Sequence, residues 1–145
     1  MERCPTCKAR LKSAVICPRC QTDLSHVFKI NERTEFLCQY AIARLEQRDI
    51  EPAIWAIKEA LRLQRNKLVL VIQQFIVKRL EQQAVVNLTH NKPALALETL
   101  ELSLSLKKTA FALALHQFIK QQDSDIHPEE NLAENMDNPN SLRNV

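Results

Sequence analysis

Between Val27 and Gln122 the apolar residues return at helical spacing, interrupted by short polar breaks, and five helical segments follow from that pattern. The first is expected over about 32–48, where Leu37, Tyr40, Ala41 and Leu45 share one face and Asn31 with Glu32 supplies a start signal. Asp49 ends it and is placed to cap a second helix over about 50–64. That helix carries Pro52 in its tolerant first turn and Ala53, Ile57, Ala60 and Leu61 on one stripe. After the break Gln64-Arg65-Asn66-Lys67, a third helix is expected over about 67–88. It presents Val69, Ile72, Ile76 and Leu80, with Phe75 widening the stripe. His90-Asn91-Lys92-Pro93 breaks the chain again, with Asn91 as the expected cap.

The fourth segment, 94–106, can be read two ways, because Leu100, Leu102, Leu104 and Leu106 alternate as a strand would. Helix is the better reading. Its residues are mostly Ala, Leu and Glu, and a lone strand among helices would leave its backbone groups without partners. Apolar on more than one face, this helix would need covering by a partner or a second copy. The fifth, about 109–122, starts at a Thr109 cap and sets Phe111, Leu115 and Phe118 on one side.

The two ends of the chain depart from this pattern. Residues 1–24 hold four cysteines, two prolines and five Lys or Arg, too little apolar material for a core at that length. Residues 123–145 hold six Asp or Glu against one Arg, with two prolines, which predicts a disordered acidic tail. Three parts are therefore expected: 1–24, a helical 25–122, and the tail 123–145. The tail carries −5 and the rest +8. A solvated tail is the simpler reading, and one folded back on the basic body is the other.

Composition narrows the chemistry. The sequence contains no glycine, which excludes phosphate-binding glycine loops, the dinucleotide fingerprint and the nucleophile elbow. A net charge of +3 selects no partner. The chain runs from Met1 into Glu2, Arg3 and Cys4 without an apolar stretch, so no secretory signal and a cytoplasmic location are expected, and no apolar run approaches a membrane span. In a reducing compartment the cysteines are not expected to pair.

Cys4-Pro5-Thr6-Cys7 and Cys17-Pro18-Arg19-Cys20 form two C-x2-C turns separated by nine residues. One Zn²⁺ takes four soft ligands in a tetrahedron, and two such turns supply all four. The filled shell makes the metal structural rather than catalytic, and its binding energy becomes the folding energy of the segment. An iron ion in the same tetrathiolate and redox-active thiols are the other readings. His26 is not needed as a ligand. Cys38 reads as a small buried apolar residue, and Trp55 as a core or interface anchor rather than a base-stacking platform.

Two resemblances follow. Cys4-Pro5-Thr6-Cys7, Leu11, Cys17-Pro18-Arg19-Cys20 and Leu24 resemble the short bacterial zinc-ribbon module, which implies a small β-hairpin flanked by two knuckles. Glycine normally follows each knuckle there, where this chain has Lys8 and Gln21. In the helical part, Arg44-Leu45-Glu46-Gln47 recurs as Arg79-Leu80-Glu81-Gln82, a period of 35, and Pro52-Ala53 recurs as Pro93-Ala94, a period of 41. The difference between these periods would fall in a longer connection between the third and fourth helices. With Ala41, Ala53 and Ala60 at small-residue positions, this part resembles a degenerate tetratricopeptide-like repeat. The expected fold class is thus mainly α: an N-terminal zinc ribbon followed by about five antiparallel helices.

No catalytic set is recognisable, so a non-enzymatic adaptor that binds another protein, with homo-oligomerisation as an option, is the leading expectation. A nucleic-acid-binding accessory factor is the alternative, through Arg3, Lys8, Arg10, Lys12 and Arg19 around the metal.

Overall fold

The computed structural model describes residues 3–12 and 14–126, the side chains of 123–126 excepted. Among the described residues the protein is mainly helical and holds no sheet. Its helices are α1 (Ser25–Glu46), α2 (Ile50–Leu63), α3 (Lys67–Thr89), α4 (Pro93–Leu106) and α5 (Ala110–Ile126). None is long and apolar enough to cross a membrane. The chain divides into two compact units, Met1–Ile76 and Val77–Val145, with α3 running through the boundary.

In the first unit α1 starts earlier than its Asn31-Glu32 signal suggests. Its opening turn grows directly out of the cysteine-rich segment: Phe28 N–H donates to Leu24 C=O at 3.1 Å, and Asp23 Oδ1 accepts the Ser25 N–H at 2.8 Å. Packing of Val27 and Phe28 against that segment stabilises a turn that local signals alone would leave unmarked. α1 ends in a Schellman turn, in which Asp49 N–H reaches Arg44 C=O at 2.9 Å and Arg48 N–H reaches Leu45 C=O at 3.1 Å. Arg48 takes the left-handed backbone that such a turn requires, with φ 60°. Asp49 stands at the N-cap of α2, though without a side-chain bond to the helix. α2 then packs on α1. Leu37, Ala41, Ala53, Ile57 and Ala60 are buried, and the alanines let the backbones approach closely. Asn66 caps α3, its side-chain oxygen accepting the Val69 N–H at 2.9 Å.

The second unit repeats this construction. α3 ends in the same turn: Lys92 N–H to Asn87 C=O and Asn91 N–H to Leu88 C=O, both 2.9 Å, with Asn91 at φ 56°. Asn91 therefore closes α3 instead of capping α4, whose N-cap is Lys92 without a side-chain bond. The 94–106 segment is helical and buries Ala96, Leu100, Ser103 and Leu106. α4 packs on α5, and Ala84 of α3 joins Ala96, Leu100, Ala112 and Ile119 in one core. Asn87 Nδ2 donates to Leu95 C=O and to Thr99 Oγ1, each at 3.3 Å, tying the end of α3 to α4. Thr109 caps α5 as expected, its hydroxyl accepting the Ala112 N–H at 3.1 Å and donating to Glu81 Oε1.

Laid side by side, the units correct the repeat register. The period is 43 throughout, neither 35 nor 41. Arg48 matches Asn91 in the turns. Gln64 (φ −158°, ψ 130°) matches Lys107 (φ −158°, ψ 127°) at the ends of α2 and α4, and Asn66 matches Thr109 as caps. In the core Leu37 pairs with Leu80, Ala41 with Ala84, Ala53 with Ala96 and Ile57 with Leu100. The connection between α3 and α4 is no longer than that between α1 and α2. Both sequence matches came from short surface-dominated strings, whereas the true register is carried by buried positions and turn geometry.

Two further expectations change. α5 continues through Ile126, so residues 123–126 extend the helix, while 127–145 of the expected tail lie outside the described residues. Its inward stripe is the buried Ala112 and Ile119 with the half-buried Leu115; Phe111 and Phe118 face outward, as does Phe75 on α3. Small side chains sit inside because the helices approach too closely for phenyl rings there.

Candidate metal centre

The cysteine-rich segment is two copies of one turn set. Cys4, Pro5, Cys7 and Leu11 recur as Cys17, Pro18, Cys20 and Leu24, and the backbone follows the same pairing. Cys4 N–H bonds Ala9 C=O at 2.8 Å, as Cys17 N–H bonds Thr22 C=O at 3.0 Å. Lys8 N–H reaches Cys4 C=O at 3.0 Å, as Gln21 N–H reaches Cys17 C=O at 2.9 Å. Antiparallel bridges Arg3–Arg10 and Ile16–Asp23 close the two turns. Lys8 and Gln21 stand at φ 60° and 59°, the left-handed region in which glycine would be free of steric cost. The expected hairpin between the knuckles includes Ser13, which lies outside the described residues.

This pairing brings the four sulfurs together. The Sγ atoms of Cys4, Cys7, Cys17 and Cys20 all lie within 4.8 Å of one another, with Cys4–Cys20 at 3.7 Å and Cys7–Cys17 at 3.6 Å. A tetrahedral ion about 2.3 Å from each sulfur requires sulfur–sulfur edges of about 3.8 Å. The two short edges fit that figure, and they are far too long for disulfides; all five cysteines are free. Leu11 and Leu24 fill the space behind the cluster with Cys4 and Cys17, and Val27 and Phe28 of α1 pack against it. The cysteine module and the first turn of α1 thus share one core.

The surroundings favour thiolates unevenly. The Thr22 hydroxyl, 3.1 Å from Cys20 Sγ, and then the Thr22 amide hold the Cys20 thiol down to about 6. The Cys7 amide, helped by that of Thr6, holds Cys4 below the ordinary thiol range against the effect of desolvation. At Cys7 the Ala9 amide pulls down, but desolvation and the three neighbouring thiols outweigh it and push the group up to about 11. A divalent ion held among the four sulfurs would favour the thiolate at each of them, and amide donors aimed at sulfur are the outer support such sites use. A closed four-sulfur shell leaves no position for water or substrate.

The remaining candidates separate from this centre. His26 is exposed and outside the sulfur group. His90 Nδ1 lies 2.7 Å from Val86 C=O, and His116 Nε2 lies 3.7 Å from Glu101 Oε1; His127 is outside the described residues. Cys38 is buried, and that burial, with Glu35 nearby, raises its thiol pKa, as suits an apolar filler. Trp55 is more than half exposed, so it is not a core anchor. Thr22 was missed from sequence: the knuckle repeat gives no signal for it, since the matching position in the first knuckle is Ala9. Compared with protein-family models, with curated proteins and with solved structures, the chain matches none of them.

Proposed function

We propose that the protein is a non-enzymatic adaptor in which a zinc-ribbon module, built on one structural Zn²⁺ held by Cys4, Cys7, Cys17 and Cys20, leads into a helical-repeat body that binds another protein. Zinc is the ion that four thiolates at tetrahedral spacing suit best, and the closed shell favours a structural role. The tetratricopeptide likeness lies in the small residues between paired helices. The period of 43 is longer than that family's, which is about 34.

The observation that carries the partner-binding reading is an outward apolar face present in each unit. Phe75 and Phe118 are equivalent positions, 55% and 52% exposed. Leu68 and Phe111, seven residues before each phenylalanine and so on the same face, are likewise equivalent and exposed, and Leu70 and Leu113 are exposed on another side of α3 and α5. Large apolar side chains left in water singly are ordinary, but the same positions left uncovered in two copies of one module mark recognition surface. The uncovered apolar surface is therefore centred on α3 and α5 rather than on α4.

The test is affinity recovery of tagged protein from its native cells after nuclease treatment, beside a Phe75→Ser, Phe118→Ser variant. A stoichiometric protein recovered by the wild type and lost from the variant, with metal content and thermal midpoint retained, supports the proposal. Identical recovery by both, or a monomer with no partner, overturns it.

A further inference from the structure

The two knuckles share a backbone but not a charge. Arg3 and Arg10 stand directly opposite each other in the bridge that closes the first, where the second has Ile16 opposite Asp23. The adjoining Cys4 N–H to Ala9 C=O bond makes Arg3–Arg10 the non-hydrogen-bonded type of pair, whose side chains leave the same face with Cα atoms only about 4.5 Å apart. Like charges in that position destabilise the pair, and the second knuckle shows that the turn does not need them.

Among the described residues nothing neutralises them. Arg3, Lys8, Arg10, Lys12 and Arg19 are all exposed, and none forms an ion pair among the described residues. Asp23 is the one described acidic residue of the module; it sits on the other knuckle, with a carboxylate oxygen bonded to the Ser25 N–H. A zinc-filled tetrathiolate would bring two negative charges, fewer than the five cations around it.

We propose that the first knuckle is a phosphate clamp for a nucleic-acid backbone, with Arg3 and Arg10 gripping phosphate oxygens and Lys8 and Lys12 flanking them. Guanidinium forks match phosphate oxygens in pairs, and two forks fixed side by side need closely spaced, permanently charged oxygens. A phosphodiester strand presents these at every nucleotide; an acidic peptide must first be ordered to do so. No aromatic residue lies in the module for base stacking, so the clamp reads charge and not sequence. This inference is independent of the protein-binding surface on α3 and α5.

The test uses full-length, metal-loaded protein and a fluorescein-labelled 20-base-pair DNA duplex of arbitrary sequence, titrated by anisotropy from 25 to 200 mM KCl. Log affinity should fall linearly with log salt, at about 0.9 per phosphate contact. An Arg3→Ala, Arg10→Ala variant should lose about two from that slope and bind at least tenfold more weakly at 50 mM, while Arg3→Lys, Arg10→Lys keeps most of the slope. Metal content is measured on each variant. Absence of salt-dependent binding, or an unchanged slope in a metal-loaded double-alanine variant, overturns the clamp. Loss of metal without any duplex binding by the wild type shows instead that the arginines serve only the thiolates. Competition by polyglutamate as strong as by unlabelled duplex at equal charge overturns the nucleic-acid assignment.

Discussion

Ser103 offers a test of the repeat register that reads directly in stability. It is fully buried in α4, its hydroxyl has no hydrogen-bond partner, and its equivalent in the first unit is the fully buried Ala60 of α2. Ser103→Ala removes a buried unsatisfied hydroxyl, which costs about 1–3 kcal/mol, and restores the better helix former, worth a few tenths more. The oxygen leaves a void smaller than a methyl group, which offsets part of the gain. The middle of that range, about 2 kcal/mol, less the offset from the void, sets the expected net stabilisation of the second unit at about 1.5 kcal/mol. The reciprocal change, Ala60→Ser, should destabilise the first unit by a similar amount, because a hydroxyl enters a matching close helix contact. Urea unfolding of metal-loaded protein, followed by far-UV circular dichroism and by Trp55 fluorescence for the first unit, measures both. A destabilised Ser103→Ala, or an Ala60→Ser indistinguishable from wild type, would refute the equivalence of the two sites.

Chelation of the metal should disorder residues 3–24 and fray the first turn of α1, because Val27 and Phe28 pack on the cysteine module and the Phe28 N–H is held by Leu24 C=O. Hydrogen exchange should show the Phe28 amide losing protection while amides of α4 keep theirs; unchanged Phe28 protection would disprove the shared core. Lys8→Gly and Gln21→Gly should each relieve left-handed backbone at φ 60° and 59°, a steric cost of about 1–2 kcal/mol offset in part by the freedom glycine adds to the unfolded chain. Both should slow metal loss to a chelator several-fold, and an unchanged rate would count against strain at these turns. Arg48→Gly should raise the unfolding free energy by about 0.5–1 kcal/mol and Asn91→Gly by less, since asparagine tolerates this region. Equal gains at the two positions would contradict that ordering.

Much of the fold was legible from local pattern. Pro52 and Pro93 in first turns, the Thr109 cap and the apolar spacing of the middle of the chain place the helices within a few residues, the start of α1 excepted, and the paired C-x2-C turns name the four sulfurs that come together. The absence of glycine was less restrictive than it looked. It excludes glycine loops, yet Lys8, Lys12, Gln21, Arg48 and Asn91 take the left-handed backbone themselves, held there by the turns on either side. Local preference is a cost on the order of 1 kcal/mol, and surrounding hydrogen bonds exceed it.

What periodicity could not decide was which side of a helix is inside when both sides carry apolar residues. In α5 the phenyl rings of Phe111 and Phe118 looked like the core stripe, but Ala112 and Ile119 occupy it, because the distance between helix backbones selects size as well as polarity. The same holds for α1, whose start depends on Leu24, Val27 and Phe28 meeting Cys4, Leu11 and Cys17 in space. By itself the sequence determined helical class, break positions and the four cysteines that cluster, since each rests on residues adjacent along the chain. The repeat register, the outward aromatic positions and the union of the cysteine module with α1 were decided by tertiary structure, since each depends on contacts between residues distant along it.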